Sequence, residues 1–414
     1  MTIARMNFSH DVIVIGAGPG GSATAHFLAQ SGARVLLLDK SNFPRDKTCG
    51  DGLTPRAVAM LDEMHLLDEL STTGHPIRRF EVIAPNRRAT SSPIPGQTGR
   101  NGQALVIPRL KLDARLLQRA VDSGAEFRSG VHAVRVEGDG RQATVRVEHN
   151  GRADAYSAPL AVVASGANMR LLRESGILQH TPETMLAARA YFENLRGLSD
   201  AWQLRFDGVP LPGYGWIFPI GTDAANIGAG FFGGGRGRSA ADAFARFIAN
   251  PALQPLLAGA QQAGPMKSYP LRADFTTAPT HAPNVLLVGE AAGLVNPLTG
   301  EGIDYALESG RIAARHIAGM LARNDFSEAA RSAYDAELRT QFQSLFEFCI
   351  FVRDRMCDKA WLLNTLVAVA DHRADLRLRL TAVVLGNRTI HGRLTPGRVV
   401  RSILRSTLRL SPDS

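Results

Sequence analysis

Residues 11–39 read DVIVIGAGPGGSATAHFLAQSGARVLLLD, and this stretch decides the fold. The apolar β-forming residues 12–15 lead into a glycine-rich turn, which is followed by a helical pattern of small and apolar residues. A second apolar strand at 35–38 then ends in an acid. A glycine turn alone would be a weak signal, but this turn has the strand before it, the helix after it and the acid at the expected distance. The stretch therefore predicts a unit that binds a dinucleotide.

Each glycine of the turn and the acid that follows the second strand has a chemical role in nucleotide binding. Gly16 lets the chain turn sharply, Gly18 lets the backbone approach a pyrophosphate, and Gly21 lets the helix pack close to the sheet. The phosphates would lie at the positive N-terminus of the helix. Asp39 is placed to accept hydrogen bonds from a ribose diol.

Composition narrows the class of protein. With 414 residues and 45% hydrophobic content, the chain can bury a large core over two or three domains. Cys49, Cys349 and Cys357 lack metal-ligand spacing, so we expect a reducing cytoplasm and no structural metal site. The N-terminus lacks the apolar core of a secretion signal, and the apolar segment 346–370 is interrupted by charges. We expect that segment to form helices packed on protein.

The segment after the second strand, SNFPRDKTCGDGL at 41–53, is glycine-rich and polar. It precedes a predicted helix with Thr54 as N-cap and Pro55 at the first helical position. Such a loop at the carboxyl edge of a parallel sheet is where a cofactor would be reached. Cys49 in this loop is either a catalytic or pocket-lining residue or a small buried one.

The middle of the chain predicts more strands. Residues 126–137 and 142–148 alternate like two paired strands, and the apolar strand 160–163 ends near Ser165 and Gly166. From about residue 182 to 270 the chain is strand-rich, which indicates a separate sheet that walls a substrate cavity. Three aromatic residues recur there with a period of two, and they form either a pocket wall or ordinary core: Tyr214, Trp216 and Phe218.

The chain then returns to the first fold. A buried strand around 284–288 ends in Gly289 and Glu290. The segment from Asn296 to Ile303, which contains Gly-Glu-Gly, opens a predicted helix that runs to about Arg323. An acid directly after a strand can bind a second ribose-like hydroxyl chain. Free N–H groups at the helix start suit a ring carbonyl that gains charge on reduction. Two nucleotide-contacting regions so far apart indicate one discontinuous domain, which is typical of flavin rather than nicotinamide binding.

The motifs together resemble the geranylgeranyl reductase family of FAD-dependent oxidoreductases, within the wider group that includes para-hydroxybenzoate hydroxylase. The resemblance covers most of residues 10–325 and is greatest to the branch that reduces prenyl chains of geranylgeranyl lipids or of menaquinone. Four separated motifs occur in the order of the family: GAGPGGSATA with Asp39, FPRDKTCGDGLTPRAV at 43–58, LPGYGWIFP at 211–219 with NIGAG at 226–230, and VGEAAGLVNPLTGEGIDYALESGRIAA at 288–314.

The resemblance implies FAD as the cofactor and assigns residues to it. The implied cofactor-binding residues are Gly16, Gly18, Gly21, Asp39, Lys40, Arg45, Cys49, Gly50, Arg109, Gly166, Gly289, Glu290, Gly300, Gly302 and Ile303. Tyr214, Trp216 and Phe218 would bind the prenyl chain. The implied catalytic residues are Cys49, as the first candidate for proton delivery, and Tyr214 or a bound water as the reserve.

Two positions depart from the related hydroxylases. Ser165 stands before Gly166 where those enzymes commonly have Asp, and Glu290 stands where they have Asp. The first departure weakens any expectation that NADPH is handled as in the hydroxylases. No second dinucleotide unit like that of residues 11–39, with its strand, glycine turn, helix and acid, is recognised for a resident nicotinamide, so an external reductant, NADPH or ferredoxin, is expected.

The predicted architecture is α/β, with a Rossmann-type FAD-binding domain like that of para-hydroxybenzoate hydroxylase, a discontinuous β-sheet substrate domain and a C-terminal helical region. The predicted boundaries are 1–75, 100–170 and 280–325 for the FAD-binding domain, 76–99 and 171–279 for the substrate domain, and 326–414 for the helical region.

The end of the chain is rich in arginine. From Asp371 to Ser414 the arginines alternate with apolar residues such as Val399 and Leu408, as in an amphipathic basic helix. Peripheral attachment of a cytoplasmic protein to an anionic membrane is one interpretation, and a solvated helix face is the other. A nucleic-acid partner is not expected, because no recognition motif accompanies the arginines.

Three functions are compatible with these residues. The first is a reductase that saturates prenyl double bonds by hydride transfer from reduced flavin. The alternatives are a flavin monooxygenase that tailors a secondary metabolite and a non-redox FAD-containing cyclase. The Tyr-Gly-Trp-Ile-Phe-Pro strand and the Cys-Gly-Asp-Gly loop favour the first.

Overall fold

A computed structural model describes residues 8–95, 103–233 and 239–386. The predicted α/β class is confirmed: a mainly parallel sheet, a separate larger sheet and a set of C-terminal helices are present. The strands are β1 (Val12–Ile15), β2 (Val35–Leu38), β3 (Gly52–Leu53), β4 (His75–Ile77), β5 (Arg79–Ile83), β6 (Ala89–Pro93), β7 (Ala104–Val106), β8 (Glu126–Arg128), β9 (His132–Gly138), β10 (Ala143–His149), β11 (Arg152–Ala158), β12 (Leu160–Val163), β13 (Thr184–Glu193), β14 (Ala201–Arg205), β15 (Gly213–Pro219), β16 (Ala225–Phe231), β17 (Gln261–Arg272), β18 (His281–Ala282) and β19 (Val285–Leu287).

The helices cover the sheets and close the C-terminal side of the molecule. They are α1 (Pro19–Gln30), α2 (Pro55–Glu63), α3 (Leu67–Thr73), α4 (Arg109–Asp122), α5 (Met169–Glu174), α6 (Ala240–Ile248), α7 (Gln254–Leu257), α8 (Ile303–Arg323), α9 (Glu328–Arg355), α10 (Ala360–His372) and α11 (Ala374–Val384).

The first sheet has the strand order β18-β19-β12-β1-β2-β8, and all its pairs except β18 with β19 are parallel. Strands β1, β2, β12 and β19 are buried along their whole length, because their sequences are apolar on both faces. Helix α1 packs against α8, which lies far along the chain. The predicted return of the chain to the first fold is therefore correct.

The second sheet has the order β17-β13-β16-β15-β14-β5-β6. It takes β5 and β6 from an early part of the chain and its other strands from residues 184–272, and β14 joins β5 in parallel. Strands β15 and β16 lie in its middle and are buried throughout. The predicted domain boundaries themselves stay a prediction.

Two sequence-based element assignments need correction. The strand expected over 126–137 is two strands, β8 and β9, because the chain turns between them at Gly130 with a φ of 70°. The last nucleotide-side helix begins at Ile303 and not at Asn296, because residues 296–301 form a turn closed by the Asn296 amide and the Glu301 carbonyl, 2.7 Å apart.

Helix α9 packs on the first fold, whereas α10 and α11 contact β6 of the second sheet. The Tyr334 hydroxyl of α9 donates to the Leu287 carbonyl at 2.6 Å, and Phe342 and Phe346 are fully buried. The expectation that residues 346–370 form helices packed on protein is confirmed. In the described part of the chain, no helix has both the length and the apolar character needed to cross a bilayer.

A buried ion pair joins α2 to α8 behind the sheet. Arg56 donates to Glu308 at 2.8 Å and to the Gly386 carbonyl at 3.1 Å, while its guanidinium lies 4.5 Å from the centre of the Tyr305 ring. Arg56 is only 3% exposed, so its charge depends on these partners for stabilisation.

Replacing this arginine should destabilise the protein. We expect Arg56→Ala to lower the free energy of unfolding by about 3–5 kcal/mol, because it breaks a buried ion pair with Glu308 and removes the hydrogen bond to the Gly386 carbonyl. Denaturant unfolding followed by circular dichroism measures the change. The control is Arg34→Ala, which breaks the exposed pair with Asp11 and should change stability little. Equal effects of the two variants would contradict the structural role of the buried pair.

Candidate active site

A single cavity runs from the glycine turn of the first sheet to the aromatic strand of the second. Its volume is about 360 Å³. Of the residues that the sequence assigned to cofactor or substrate, the following line it: Gly16, Gly18, Asp39, Lys40, Arg45, Cys49, Gly50, Arg109, Gly166, Tyr214, Trp216, Phe218, Gly289, Glu290, Gly300, Gly302 and Ile303. Gly21 lies in helix α1 and does not line the cavity.

The glycine turn explains why Gly21 matters without touching the cavity. A Cβ on Gly21 would lie 1.7 Å from the Gly16 carbonyl oxygen, and a Cβ on Gly16 would lie 2.5 Å from the Ala164 carbonyl oxygen. Side chains at these two positions would force the turn open. At Gly18, in contrast, the nearest atom to such a Cβ is the end of Arg45 at 3.4 Å. The backbone at Gly18 is therefore approachable from the cavity.

Asp39 closes this end of the cavity. Its two carboxylate oxygens accept the Ala17 and Ser41 amides, each at 2.8 Å. Each oxygen keeps a further lone pair, so the carboxylate can accept hydroxyl groups from a bound ribose as well. The side chain is largely buried but lines the cavity, so a ligand in the cavity can reach its carboxylate.

Basic side chains gather in the middle of the cavity. Lys47 pairs with Glu290 at 3.1 Å, and Glu290 also accepts the Arg272 amide at 3.1 Å. Arg45 pairs with Asp113 at 3.0 Å. Lys47 was not among the residues assigned from the sequence, although its place in the loop before Cys49 was a signal. Together these cations make this part of the cavity suitable for a pyrophosphate.

Arg109 lies deeper than the sequence suggested. It is 3% exposed and holds Asp113 through two hydrogen bonds of 2.6 and 2.7 Å. Its backbone amide also donates to the carboxylate of Asp51, in the loop that carries Cys49, at 3.3 Å. Arg109 therefore orients the loop that carries Cys49 as well as lining the cavity.

A buried acid in the same loop, Asp51, fixes the position of Cys49 through hydrogen bonds. Asp51 accepts the Tyr191 hydroxyl at 2.6 Å and the Asn226 side-chain amide at 2.8 Å, and burial raises the pKa of its carboxyl to about 6. Asn226 also donates to the Cys49 carbonyl at 2.7 Å. Sequence reasoning missed this network, because partners from β13 and β16 are distant along the chain. Burial raises the pKa of the Cys49 thiol, so the thiol keeps its proton.

The aromatic residues of β15 line the cavity and also pack against neighbouring residues, so they have the features of both a pocket wall and a core. Trp216 and Phe218 line the cavity, and they also pack on the loop, since a Cβ on Gly50 would lie 2.9 Å from the Phe218 ring. The Trp216 indole donates to Asn226 at 2.9 Å. Tyr214 donates its hydroxyl proton to the Thr299 carbonyl, and burial raises the pKa of that hydroxyl.

Glu301 is a cavity residue that sequence reasoning passed over. It lies between Gly300 and Gly302, two glycines that were assigned to the site, and its side chain lines the cavity. Within the described residues its carboxyl has no hydrogen bond or ion pair, and burial with the nearby Asp304 raises its pKa well above the usual range. An acid between two site glycines was the signal that could have identified it.

The cavity therefore has two chemically different ends. The end near Asp39, Arg45 and Lys47 is charged, whereas Met185, Leu271 and the aromatic strand make the other end apolar. A dinucleotide fits the first end, because the turn leaves its backbone accessible and the cations can meet its phosphates. Within the described ranges, no group of His, Cys, Asp and Glu side chains is arranged to hold a metal ion.

Comparison with known proteins agrees with this geometry. Residues 9–206 match the model of an FAD binding domain. The chain is 37% identical to a menaquinone reductase of Mycolicibacterium smegmatis over 334 residues, which cover 75% of this chain and 76% of that protein. It is 30% identical to a digeranylgeranylglycerophospholipid reductase of Methanosphaera stadtmanae over 357 residues, covering 83% of this chain and 86% of that protein.

The fold matches a solved structure over nearly the whole chain. A geranylgeranyl bacteriochlorophyll reductase-like protein of Thermoplasma acidophilum superposes with a TM-score of 0.81 at 22% identity, covering 96% of this chain and 99% of the other. The structural likeness shows the fold. The 37% and 30% identities to the two reductases show the family. The chain belongs to the geranylgeranyl reductase family of FAD-dependent oxidoreductases.

Proposed function

We propose that this protein saturates prenyl double bonds of a geranylgeranyl lipid or a menaquinone-type isoprenoid. The observation that carries the proposal is the cavity, whose charged nucleotide end continues into an apolar chamber under β15. An isoprenoid chain has no polar group along its length, so it requires such a chamber beside the cofactor. The reductase names of the relatives at 37% and 30% identity support this substrate class.

FAD would lie along the cavity with its ADP half at the turn. Gly16 and Gly18 would face the pyrophosphate, with Arg45, Lys40 and Lys47 nearby, and Asp39 would bind the ribose. Gly166, Gly289 and Glu290 would line the ribityl chain, while Arg109, Cys49, Gly50 and residues 300–303 would border the ring. When bound and reduced, the flavin supplies the hydride for the reaction.

The substrate chain would lie against the aromatic strand. Tyr214, Trp216 and Phe218 form its wall, and Met185 and Leu271 add to the apolar surface. An isolated alkene accepts hydride poorly, so the protein must exclude water and hold the double bond in position beside the flavin. The buried strands β15 and β16 provide a rigid surface for this.

The electrons have to come from outside the chain. The dinucleotide unit at residues 11–39 is assigned to the flavin, and the other Gly-x-Gly-x-x-Gly spacing, at 228–233, begins inside strand β16. We therefore propose that NADPH or a reduced ferredoxin reduces the flavin between turnovers.

Contact with a membrane would give access to a prenyl lipid. Trp361 on α10 is 64% exposed and Leu378 on α11 is 40% exposed, and both helices contact β6 with other residues. Arg373 and Arg379 belong to the same segment, whereas the arginines from Arg388 onward lie outside the described residues. We propose that this surface binds the anionic cytoplasmic face of a membrane.

The reductase activity has a direct anaerobic test. Reduced enzyme, freed of excess dithionite, should be reoxidised when a geranylgeranyl lipid or menaquinone is added, because the double bond accepts the flavin hydride. Mass analysis of the lipid should show a gain of two hydrogens for each bond reduced. Saturated lipid of the same length is the control and should leave the flavin reduced. A flavin that ignores prenyl lipids but reacts with oxygen to modify another molecule would establish the monooxygenase alternative.

A valine at the glycine turn should block the cofactor without unfolding the protein. We expect Gly18→Val to weaken FAD binding by about tenfold to 100-fold, since an extra group forced into a close contact costs about 1–3 kcal/mol. Quenching of flavin fluorescence measures the affinity, and thermal melting of the FAD-free protein checks the fold. Gly221→Val is the matched control, because that glycine has ordinary backbone angles and lies outside the cavity. Unchanged FAD affinity in Gly18→Val would contradict this placement of the pyrophosphate.

A charge on the exposed surface of α11 should weaken membrane binding. We expect Leu378→Glu to lower affinity for vesicles of anionic lipid by about tenfold, because burying a leucine in apolar surroundings stabilises by about 1.5–3 kcal/mol. Vesicle flotation measures the bound fraction. Val121→Glu on α4 is the control, with a similarly exposed residue elsewhere. Equal binding by both variants would place the membrane contact on another surface.

A further inference from the structure

The Glu301 carboxyl belongs to the apolar end of the cavity but has no structural task there. No hydrogen bond or ion pair to its side chain is present among the described residues, and its backbone is held on both sides. The Glu301 amide donates to the Thr299 hydroxyl at 3.3 Å, and its carbonyl accepts the Asn296 amide at 2.7 Å. Glu301 therefore lies at the wall of the cavity on a fixed backbone, with a carboxyl that no described residue engages.

Two other protic groups, Tyr214 and Cys49, lie near Glu301. Tyr214 donates its hydroxyl proton to the Thr299 carbonyl, so that proton is directed away from a ligand. Burial raises the pKa of the Cys49 thiol, so the thiol gives up its proton less readily. Both groups are close enough to Glu301 to interact with its carboxyl electrostatically. Three proton-bearing side chains thus meet in one place, and a carboxyl is by type the strongest acid of the three.

We propose that Glu301 is the acid that protonates the alkene during prenyl reduction. This inference rests on the proposed function. The reduced flavin supplies the hydride to one alkene carbon, and the Glu301 carboxyl O–H bond breaks as a new C–H bond forms at the other carbon. The π bond is consumed, the flavin loses two electrons, and the resulting carboxylate is reprotonated by water. Each turnover therefore needs one external two-electron donor, such as NADPH or two reduced ferredoxins.

The electrostatics of the chamber suit this role. Burial and the nearby Asp304 raise the pKa of the Glu301 carboxyl well above its usual range, which favours the protonated form when the substrate binds. Asp304 itself accepts the Thr54 hydroxyl at 3.1 Å and lies near Arg56, so it is engaged in the α2–α8 contact. A carboxylic acid is also a stronger acid than a buried thiol or phenol, whose pKa values are raised here. Cys49 stays the donor predicted from the sequence, and the experiment separates the two.

The experiment compares wild-type holoenzyme with Glu301→Gln, Glu301→Asp, Cys49→Ser and the surface control Glu63→Gln. Infrared difference spectra of the oxidised enzymes in H₂O and D₂O at neutral pH report a protonated carboxyl without any turnover. Anaerobic mixing of each reduced enzyme with a geranylgeranyl lipid reports the rate of flavin reoxidation. Quenching of flavin fluorescence by the lipid reports binding.

If Glu301 is the proton donor, the variants should differ in the following way. Glu301→Gln should lose a protonated-carboxyl band and slow reoxidation by about 100-fold to 10,000-fold, the usual contribution of a positioned acid. Lipid affinity should stay within about twofold, because glutamine has nearly the same shape as a protonated glutamate. Glu301→Asp should recover part of the rate, and Glu63→Gln should behave as wild type.

Three results would overturn the proposal. Wild-type reoxidation by Glu301→Gln, with a large loss in Cys49→Ser, would make the thiol the donor. An unchanged infrared band in Glu301→Gln would show that Glu301 is ionised and has no proton to give. If the lipid failed to reoxidise the wild-type enzyme as well, the proposed function itself would fall, and the assignment of Glu301 with it.

Discussion

The site depends on the parallel alignment of β1, β12 and β19, because parallel strands end at the same edge of a sheet. That edge brings Gly16, Gly166 and Gly289 to one cavity, although they are far apart in sequence. The alignment tolerates very little bulk. The carbonyl of Ala164, at the end of β12, leaves no room for a side chain on Gly16, and the Gly16 carbonyl leaves none on Gly21. The shape of the nucleotide end is thus a direct result of how closely three backbone segments approach.

The loop that follows β2 links the two sheets, and ion pairs and hydrogen bonds hold it there. Asp46 pairs with Arg189 of β13 at 2.7 Å and with Lys267 of β17 at 2.6 Å. Asp51 then accepts from Tyr191 and Asn226. The loop therefore takes its position from the second sheet while its backbone borders the cofactor end of the cavity. A change in the second sheet would be transmitted to Cys49 through hydrogen bonds rather than through apolar packing alone.

Local sequence was enough to predict the nucleotide unit, because strand, turn and helix are contiguous and each residue type has one purpose. The helix that begins after Thr54 was predictable for the same reason, and the structure confirms the cap. The break between β8 and β9 at Gly130 was not predictable, since apolar and polar residues continue to alternate through 126–137 while the backbone turns. The partners of Asp51 were not predictable from the sequence either, because β13 and β16 lie far from the loop along the chain and meet it only in the folded protein. Glu301 was missed since its meaning depends on the absence of a partner among the described residues, which no pattern of residue types can show.

The distribution of buried charge separates structure from chemistry in this cavity. At the nucleotide end the buried carboxylates of Glu290 and Asp113 have the counterions Lys47 and Arg109. The buried Asp39 accepts two backbone amides instead. Buried ion pairs are costly to break, because removal of one partner leaves the other charge without water or counterion. Glu301 has no counterion among the described residues, and burial with the nearby Asp304 raises the pKa of its carboxyl, which favours the neutral form. A neutral acid beside an apolar chamber can act as a proton source rather than as a structural anchor. The charged end of the cavity is built to hold a cofactor in place, and the apolar end is built to keep one proton available.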